Sequence, residues 1–564
     1  MKNMKFKTYM LVAMMGLSVT SCKDFLTLMP LNEVVLENFY TNEQDVESVL
    51  LGAYAALETN DCLERMSAWG EMRSDNIVAN ETSTNSDDDL VRYVKENFND
   101  QNKFTTYLCF YKAINYANTA LHYAPEVHAK DPNYHGSELA ANNAEAIAIR
   151  SLCYWYLIRA FRDVPYTTIP SIDDTHDFFI GQTPFAQILD SLINDLNDVV
   201  AYAPVHYSSD LSKVVNTARF TRAGIYAMLA DMYLWKGDWI KCKACCDSVI
   251  KRKQLDYEKI KADQGLDCTI ELIHGYPLIS EVINSTFCGN AYNEIFGTGN
   301  SFESLFELPF DRNRSSSFVS SYYNDQNSST KSLKAADIKR GGSGLFTSTD
   351  TRFFENILST NTPGIVKYVY QSMNSEWDMS LGSEPNSAGT RRQQNSYPNW
   401  IIYRFTDVLL MKAEALVMQA KEASSVDSVN ALLQEAFDIV DAVNSRSICS
   451  THYTTDAVSP LAFNNFNTVE KMEDLVFDER RRELMFEGKR WFDLVRRAMR
   501  NGDATCVMDA LSDKLQSTNS SAVSVKFKSL SGLFLPINRD ETKINDKLKQ
   551  NPAYSENEHI KKAQ

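Results

Sequence analysis

The chain has 564 residues, with 73 Asp and Glu against 57 Lys and Arg, for a formal net charge of −16. That balance excludes a nucleic-acid binder, whose affinity would come from Lys and Arg on phosphates. Hydrophobic residues make up 44% of the sequence, enough for a sizeable core in one large domain or in two to four ordinary ones.

The first elements belong to export. MKNMKFK is lysine-rich, and TYMLVAMMGLSVTS is apolar but too short to span a bilayer comfortably. These are the n-region and h-region of a secretory signal. Val19, Thr20 and Ser21 lead straight into Cys22, an arrangement that resembles a lipobox. In bacterial lipoproteins that cysteine is lipidated and becomes the new N-terminus. Residues 1–21 are therefore expected to be a lipoprotein signal peptide and Cys22 the anchor, since several acyl chains exceed the two signals that stable anchoring needs. No later stretch approaches about eighteen consecutive apolar residues.

Helices then dominate. ENFYTNEQDVESVLLGAYAALE reads as a helix entered at a Thr41-Asn42 cap. FTTYLCFYKAINYANTALHYAP follows, with Pro125 as its expected stop. NNAEAIAIRSLCYWYLIRAFRDVP carries Ile149, Cys153, Tyr156, Leu157 and Ala160 at helical spacing. PFAQILDSLINDLNDVVAYAP is a further such element. In FTRAGIYAMLADMYLWKGDWIKCKACCDSVIK, Ile225, Leu229, Met232 and Tyr233 stripe one helix, Gly237-Asp238 makes a turn, and Trp239 opens a second. The order L-A-x-x-Y-x-x-x-G-D-W resembles a tetratricopeptide repeat, in which two antiparallel helices pack closely. YRFTDVLLMKAEALVMQ with SVNALLQEAFDIVDAVNSRS reads as another pair, its second helix apolar at Val429, Leu432, Leu433, Ala436, Ile439, Val440 and Val443. Cys242 and Cys246 share a helix stripe and read as buried thiols, without the ligand spacing of a metal site. From about 255 to 399 the chain turns rich in Gly, Ser, Asn and aromatics, and fits long loops with a few short strands. Such an insertion on a rigid base is where binding usually resides.

Together these blocks resemble the SusD/RagB family of outer-membrane nutrient-binding lipoproteins, nearly end to end. The residues that carry the resemblance are CKDFLTLMP, NFYTNEQDVESVLLGAYAAL, AEAIAIRSLCYWYLIRAFRDVPY, FTRAGIYAMLADMYLWKGDW, ESLFELPF, NWIIYRFTDVLLMKAEAL, VFDERRRELMFEGKRWFDLVRR and LFLPINRDETKINDKLKQNPAY, in that order. Thr27 and Ala553 depart from the pattern, where an acidic residue and a glycine are common. The resemblance implies a mostly α-helical SusD-like fold, with tetratricopeptide-type helix pairs as scaffold and a large loop-rich insertion with a few short strands. The expected layout is one domain over 22–564: scaffold at about 34–254 and 400–500, insertion at about 255–399, and a C-terminal segment at about 501–564. The implied function is capture without chemistry. A lipid-anchored protein on the outer face of the outer membrane binds a glycan and hands it to a SusC-like TonB-dependent barrel, with no cofactor and no nucleic acid. Some members take a peptide instead, and a lipid-anchored glycan hydrolase is a further alternative.

Sugar binding needs flat apolar faces and planar polar partners. The resemblance makes Trp69, Asp75 and Asn76 in SAWGEMRSDNIV candidates, since in family members this region often lends residues to the ligand site, against core packing for the tryptophan and a helix cap for the other two. Trp377, between polar residues in NSEWDMSLGS, is a stronger candidate; Tyr397 and Trp400 are further ones. Trp155, Trp235 and Trp239 stand on helix stripes and read as core. In DERRRELMFEGKRWFDLVRR, Asp478 with Arg482 and Asp493 with Arg497 stand at i, i+4, which suggests a solvated or internally paired helix face. No HExxH, GxSxG or P-loop occurs, so catalysis has no motif behind it, and the plentiful loop carboxylates single out no metal site.

Overall fold

The computed structural model describes residues 39–555 except 85, 173–178, 266–267, 281–289, 312, 315, 317–321, 324–330, 348, 359–362, 369–396, 449–460 and 516–519. Cys22 and Trp377 lie outside the described residues.

The helices form where apolar stripes and capping residues agree. Helix α1 (Glu43–Leu57) starts at Asn42, with the Asp45 carboxylate accepting the Asn42 N–H at 3.0 Å in a capping box. It is followed by α2 (Asn60–Ser67), α3 (Leu108–Lys130), α4 (Gly136–Phe161) and α5 (Phe185–Val199). Helix α3 packs on both α1 and α4. It does not stop at Pro125 but runs through it to Lys130. Proline removes one helical hydrogen bond, yet the last turn buries Ala124 and Val127 against Tyr40, Val46 and Tyr134, and this packing outweighs the missing donor.

The repeat-like pair is α6 (Arg222–Lys236) and α7 (Trp239–Gln264), packed against each other. Gly237 closes α6 with φ +80°, a conformation that favours glycine, and the Asp238 side chain caps α7 through the Lys241 N–H. Cys242 and Cys246 are fully buried, with free thiols. Helix α7 extends to Gln264, into the stretch read as insertion. The second pair, α8 (Phe405–Glu422) and α9 (Val426–Ser447), packs on α7 through α8. Helices α10 (Val469–Glu483) and α11 (Arg490–Asn501) complete the labelled scaffold.

The strands are few and short. β1 (Ile77–Ala79) pairs antiparallel with β5 (Leu333–Ala335); β2 (Ile270–Ile273) and β3 (Tyr276–Ile279) form a hairpin; β4 (Ser304–Leu308) pairs with β6 (Trp400–Arg404). The β4–β6 pair is buried along its whole length, with Trp400 opposite Leu308 and Arg404 opposite Ser304. It threads the two ends of the insertion into one buried cluster that includes residues from Leu50 to Leu548.

The basic block is not a solvated face. Asp478 does not pair with Arg482, nor Asp493 with Arg497. Arg482 instead bonds Glu479 at 2.8 Å, and Asp493 holds Arg480 and Arg496 at 3.0 and 2.8 Å. Glu483 receives Arg352 from the insertion (2.9 Å), Arg404 from β6 (2.7 Å) and Arg446 from α9. Lys367 and Arg404 both reach Glu487 at 2.7 Å. Of the residues in these pairs all are buried, while Asp478 is exposed and Arg497 half-buried, and the pairs rivet the insertion to α9 and α10.

Candidate functional site

The residues picked out around the first helices are interior. Trp69 sits in a π-helical turn (Ala68–Met72) at 1% exposure; its indole N–H donates to the Phe104 carbonyl at 2.8 Å, and its ring stacks on Phe110. Asp75 does not cap a helix. It accepts both arms of Arg490 at 2.9 Å and lies 3.0 Å from Arg481. Burial opposes its charge, but the two guanidinium groups outweigh burial and hold the carboxyl at about 2. Asn76 donates to Glu71 at 2.8 Å and accepts from Arg481 at 2.8 Å. Trp400 is buried on β6, stacked on Tyr368. These four side chains are consumed by packing, and none presents a face to solvent. Tyr397 is half-buried. Trp155 is core, as its helix stripe indicates, while Trp235 and Trp239 are only half-buried.

What organises this region is Glu71, two residues after Trp69. Its carboxylate accepts the N–H groups of Phe486 and Gly488 at 3.2 Å and of Lys489 at 3.3 Å, besides Asn76. Burial pushes its carboxyl up to about 7, against those hydrogen bonds. The carboxylate thus clasps the FEGK turn onto the π-helical turn.

The described insertion borders two open concavities of ligand size. One, of about 750 Å³, lies between α9, α10 and the 344–350 turn. Its walls carry Asp350, Asp441, Asp474 and Asp478 around Phe466. The other, of about 610 Å³, lies between the second half of α7, the 205–221 loop and the 298–305 turn. A chamber of about 190 Å³ shares Val205, Ala223 and Arg252 with it as wall residues, so that both lie along α7 and are together termed the α7 groove.

The walls of this groove are fixed by their own hydrogen bonds. Asn216 accepts from the N–H groups of Tyr207 and Ser208 and donates to the carbonyls of Ser208 and Asp210, which shapes the loop. The Thr217 hydroxyl donates to Asn300 at 2.7 Å and joins that loop to the 298–305 turn. Beneath them, Lys253 donates to the carbonyls of Ser304 (3.1 Å) and Phe302, and burial lowers its amine to about 8. Asp256 pairs with His206 at 3.0 Å and accepts from Arg252 at 2.7 Å. Burial would raise the Asp256 carboxyl, but the His206 hydrogen bond and the Lys253 charge prevail and hold it below the usual range. The Arg252 Nε is buried with no hydrogen-bond partner among the described residues, and Tyr226 and Leu255 supply apolar faces beside it.

A ring face, a half-buried guanidinium, and hydroxyl, amide and carboxylate groups around open space are the kinds of group that recognise a sugar. The groove on α7 combines them, and the carboxylate-walled cleft does so less fully. Neither Tyr226 nor Arg252 was singled out in the sequence. The available signals were an aromatic one step off the Ile225–Leu229 stripe and the basic run KRK at 251–253. Among the described residues no cluster of His, Cys, Asp and Glu is arranged to hold a metal ion, and no helix is long and apolar enough to cross a membrane.

Fold and groove together define a helical scaffold with a ligand-sized surface beside its α6–α7 pair. Residues 311–554 match the SusD family model, and residues 24–234 match a model described as starch-binding associating with outer membrane. The chain belongs to the SusD/RagB family. A SusD-like protein of Formosa agariphila is 24% identical, over 87% of this chain and 92% of its own. Among solved structures, a SusD superfamily protein from Bacteroides vulgatus superposes with a TM-score of 0.64 at 16% identity, covering 92% of this chain and all of that one. A laminarin binding SusD-like protein does so at 0.57 and 20%, covering 91% of this chain and all of its own. The NanU protein of B. fragilis gives 0.59 and 16%, covering 94% of this chain and all of its own.

Proposed function

We propose that this protein captures an oligosaccharide on the outer face of the outer membrane, held there by lipid on Cys22, and delivers it to a SusC-like TonB-dependent barrel. The observation that carries the reading is the groove on α7, where Tyr226 and the half-buried Arg252 border one chamber and hydroxyl, amide and carboxylate groups line the adjoining one, in a chain of this family. The family model that describes starch binding and outer-membrane association supports it, as does a fold shared with a laminarin binding relative. Capture needs no turnover, and no catalytic motif occurs in the sequence.

The test is affinity electrophoresis of the form beginning after Cys22, in native gels cast with plant, host and microbial polysaccharides, with the polymers checked afterwards for shortening. Retardation without shortening is the expected result. Shortening identifies a hydrolase, and retardation by none, followed by calorimetric binding of peptides, identifies the peptide-capturing alternative. Tyr226→Ala and Trp377→Ala are each expected to weaken binding by about 1–3 kcal/mol, as removal of an aromatic anchor does elsewhere. Unchanged affinity removes that residue from the site. For the anchor, Cys22→Ala is expected to move the protein from the outer-membrane fraction to the soluble one; retention in the membrane overturns the lipid attachment. Co-purification of a TonB-dependent barrel with the lipidated protein tests delivery.

A further inference from the structure

We infer that the α7 groove selects an acidic glycan, one bearing carboxylate or sulfate groups, and that the small chamber at Arg252 is where the anion is read. This rests on the groove being the glycan site.

Charge is segregated along the groove. The larger chamber carries both signs: Arg252, Lys253 and Lys259 against Asp210, Asp256, Asp263 and Glu294. The small chamber has Arg222, Lys251 and Arg252 in its wall and no carboxylate. This concentration of positive charge stands in a chain whose net charge is −16, so overall composition does not account for it. Two of the three cations are positioned. Arg222 donates to the carbonyls of Ala201 at 2.7 Å and Ala203 at 3.2 Å, which pins its guanidinium to the wall. One arm of Arg252 is spent on Asp256, whose charge is also engaged by His206, while Nε has no partner among the described residues.

The guanidinium and ammonium groups of Arg222, Lys251 and Arg252 suit a carboxylate or sulfate oxygen better than a lone hydroxyl, because a charge-assisted hydrogen bond is roughly twice as strong as a neutral one. Tyr226 and Leu255 flank the same chamber and offer apolar surface to the ring that bears the acid. Neutral units of the chain then lie along the mixed-charge chamber beyond Arg252. Away from the groove the protein's net negative charge repels an anionic polymer, so the attraction is local and falls as salt screens it.

The experiment uses acidic polysaccharides, uronate-bearing and sulfated, each beside its carboxyl-reduced or desulfated counterpart, in the same native gels. These pairs share a backbone and differ in charge. At least one acidic polymer is expected to retard the protein, and removing its acid groups is expected to weaken retention by about tenfold, the size of one lost charge-assisted contact. Arg252→Gln is expected to reproduce that loss on the acidic polymer. Lys251→Gln, on an exposed side chain, gives a smaller loss in the same direction and serves if the first variant folds poorly. Sulfated and uronate arms separate the two sources of the anion. Equal retention by both members of every pair, or retention by neutral polymers alone, overturns acid selectivity and leaves glycan capture standing. Retention by no polymer at all overturns glycan capture itself.

Discussion

Glu483→Gln is expected to lower stability by about 3–5 kcal/mol, the cost of leaving buried charge uncompensated. Three arginines from three parts of the chain converge on this carboxylate: Arg352, Arg404 and Arg446. Glutamine keeps the volume and removes the charge, so the loss reports the electrostatics rather than a cavity. The measurement is the denaturation midpoint, with Asp540→Asn as control. Asp540 and its partner Lys543 are 80% and 64% exposed, and that pair is expected to contribute under about 1 kcal/mol. A loss at Glu483 no larger than the control's overturns the account. The sign with pH follows from depressed carboxyl groups. Despite burial, the Arg446, Arg404 and Arg352 charges hold Glu483 well below the usual range, and Asp75 and Asp407 stand at about 2. Unfolded carboxylates titrate near about 4, so their contribution is complete above that value and is lost as pH falls towards about 2. Stability is therefore expected to fall steeply across that window, and less steeply in the Glu483→Gln variant.

Gly70→Ala is the second large effect. A Cβ at position 70 would stand 1.9 Å from the backbone oxygen of Gly488 and 2.5 Å from its carbonyl carbon. Neither neighbour is a flexible side-chain end, so the FEGK turn must move. Movement there breaks the hydrogen bonds from Phe486, Gly488 and Lys489 to Glu71. Gly488 cannot relax freely, because it sits at φ +73° with Trp400 packed against it. Overpacking alone costs about 1–3 kcal/mol, and the broken clasp adds to it, so a fall in the thermal midpoint and in soluble yield is expected. Gly136→Ala is the contrast: its Cβ meets nothing within 4 Å at the start of α4, and the change is expected to be neutral or stabilising. A Gly70 variant as stable as the Gly136 variant would show that the turn yields at little cost.

The misplaced expectations share one cause. Pro125 as a helix stop, the i, i+4 acid–base pairs of the DERRRELMFEGKRW block, and Trp69, Asp75 and Asn76 as ligand residues each rest on one segment of chain. Each is decided by a partner far along the chain: Tyr40 and Val46 pack against the turn after Pro125, Arg352 and Arg404 engage Glu483, and Arg490 engages Asp75. Tyr226 and Arg252 lie in helices whose existence was plain, yet the groove they border forms only where the 205–221 loop and the 298–305 turn meet α7.

The sequence by itself determined the helical class, the repeat-like turn at Gly237-Asp238 and the family. Those depend on local periodicity, capping chemistry and ordered motifs, all written within a few turns of chain. Only the tertiary structure decided which aromatic and charged residues are spent inside and which remain to meet a ligand. Burial and ion pairing are set by residues hundreds of positions apart, as Arg73 bonding the Leu533 carbonyl shows, and no local pattern encodes which partner arrives.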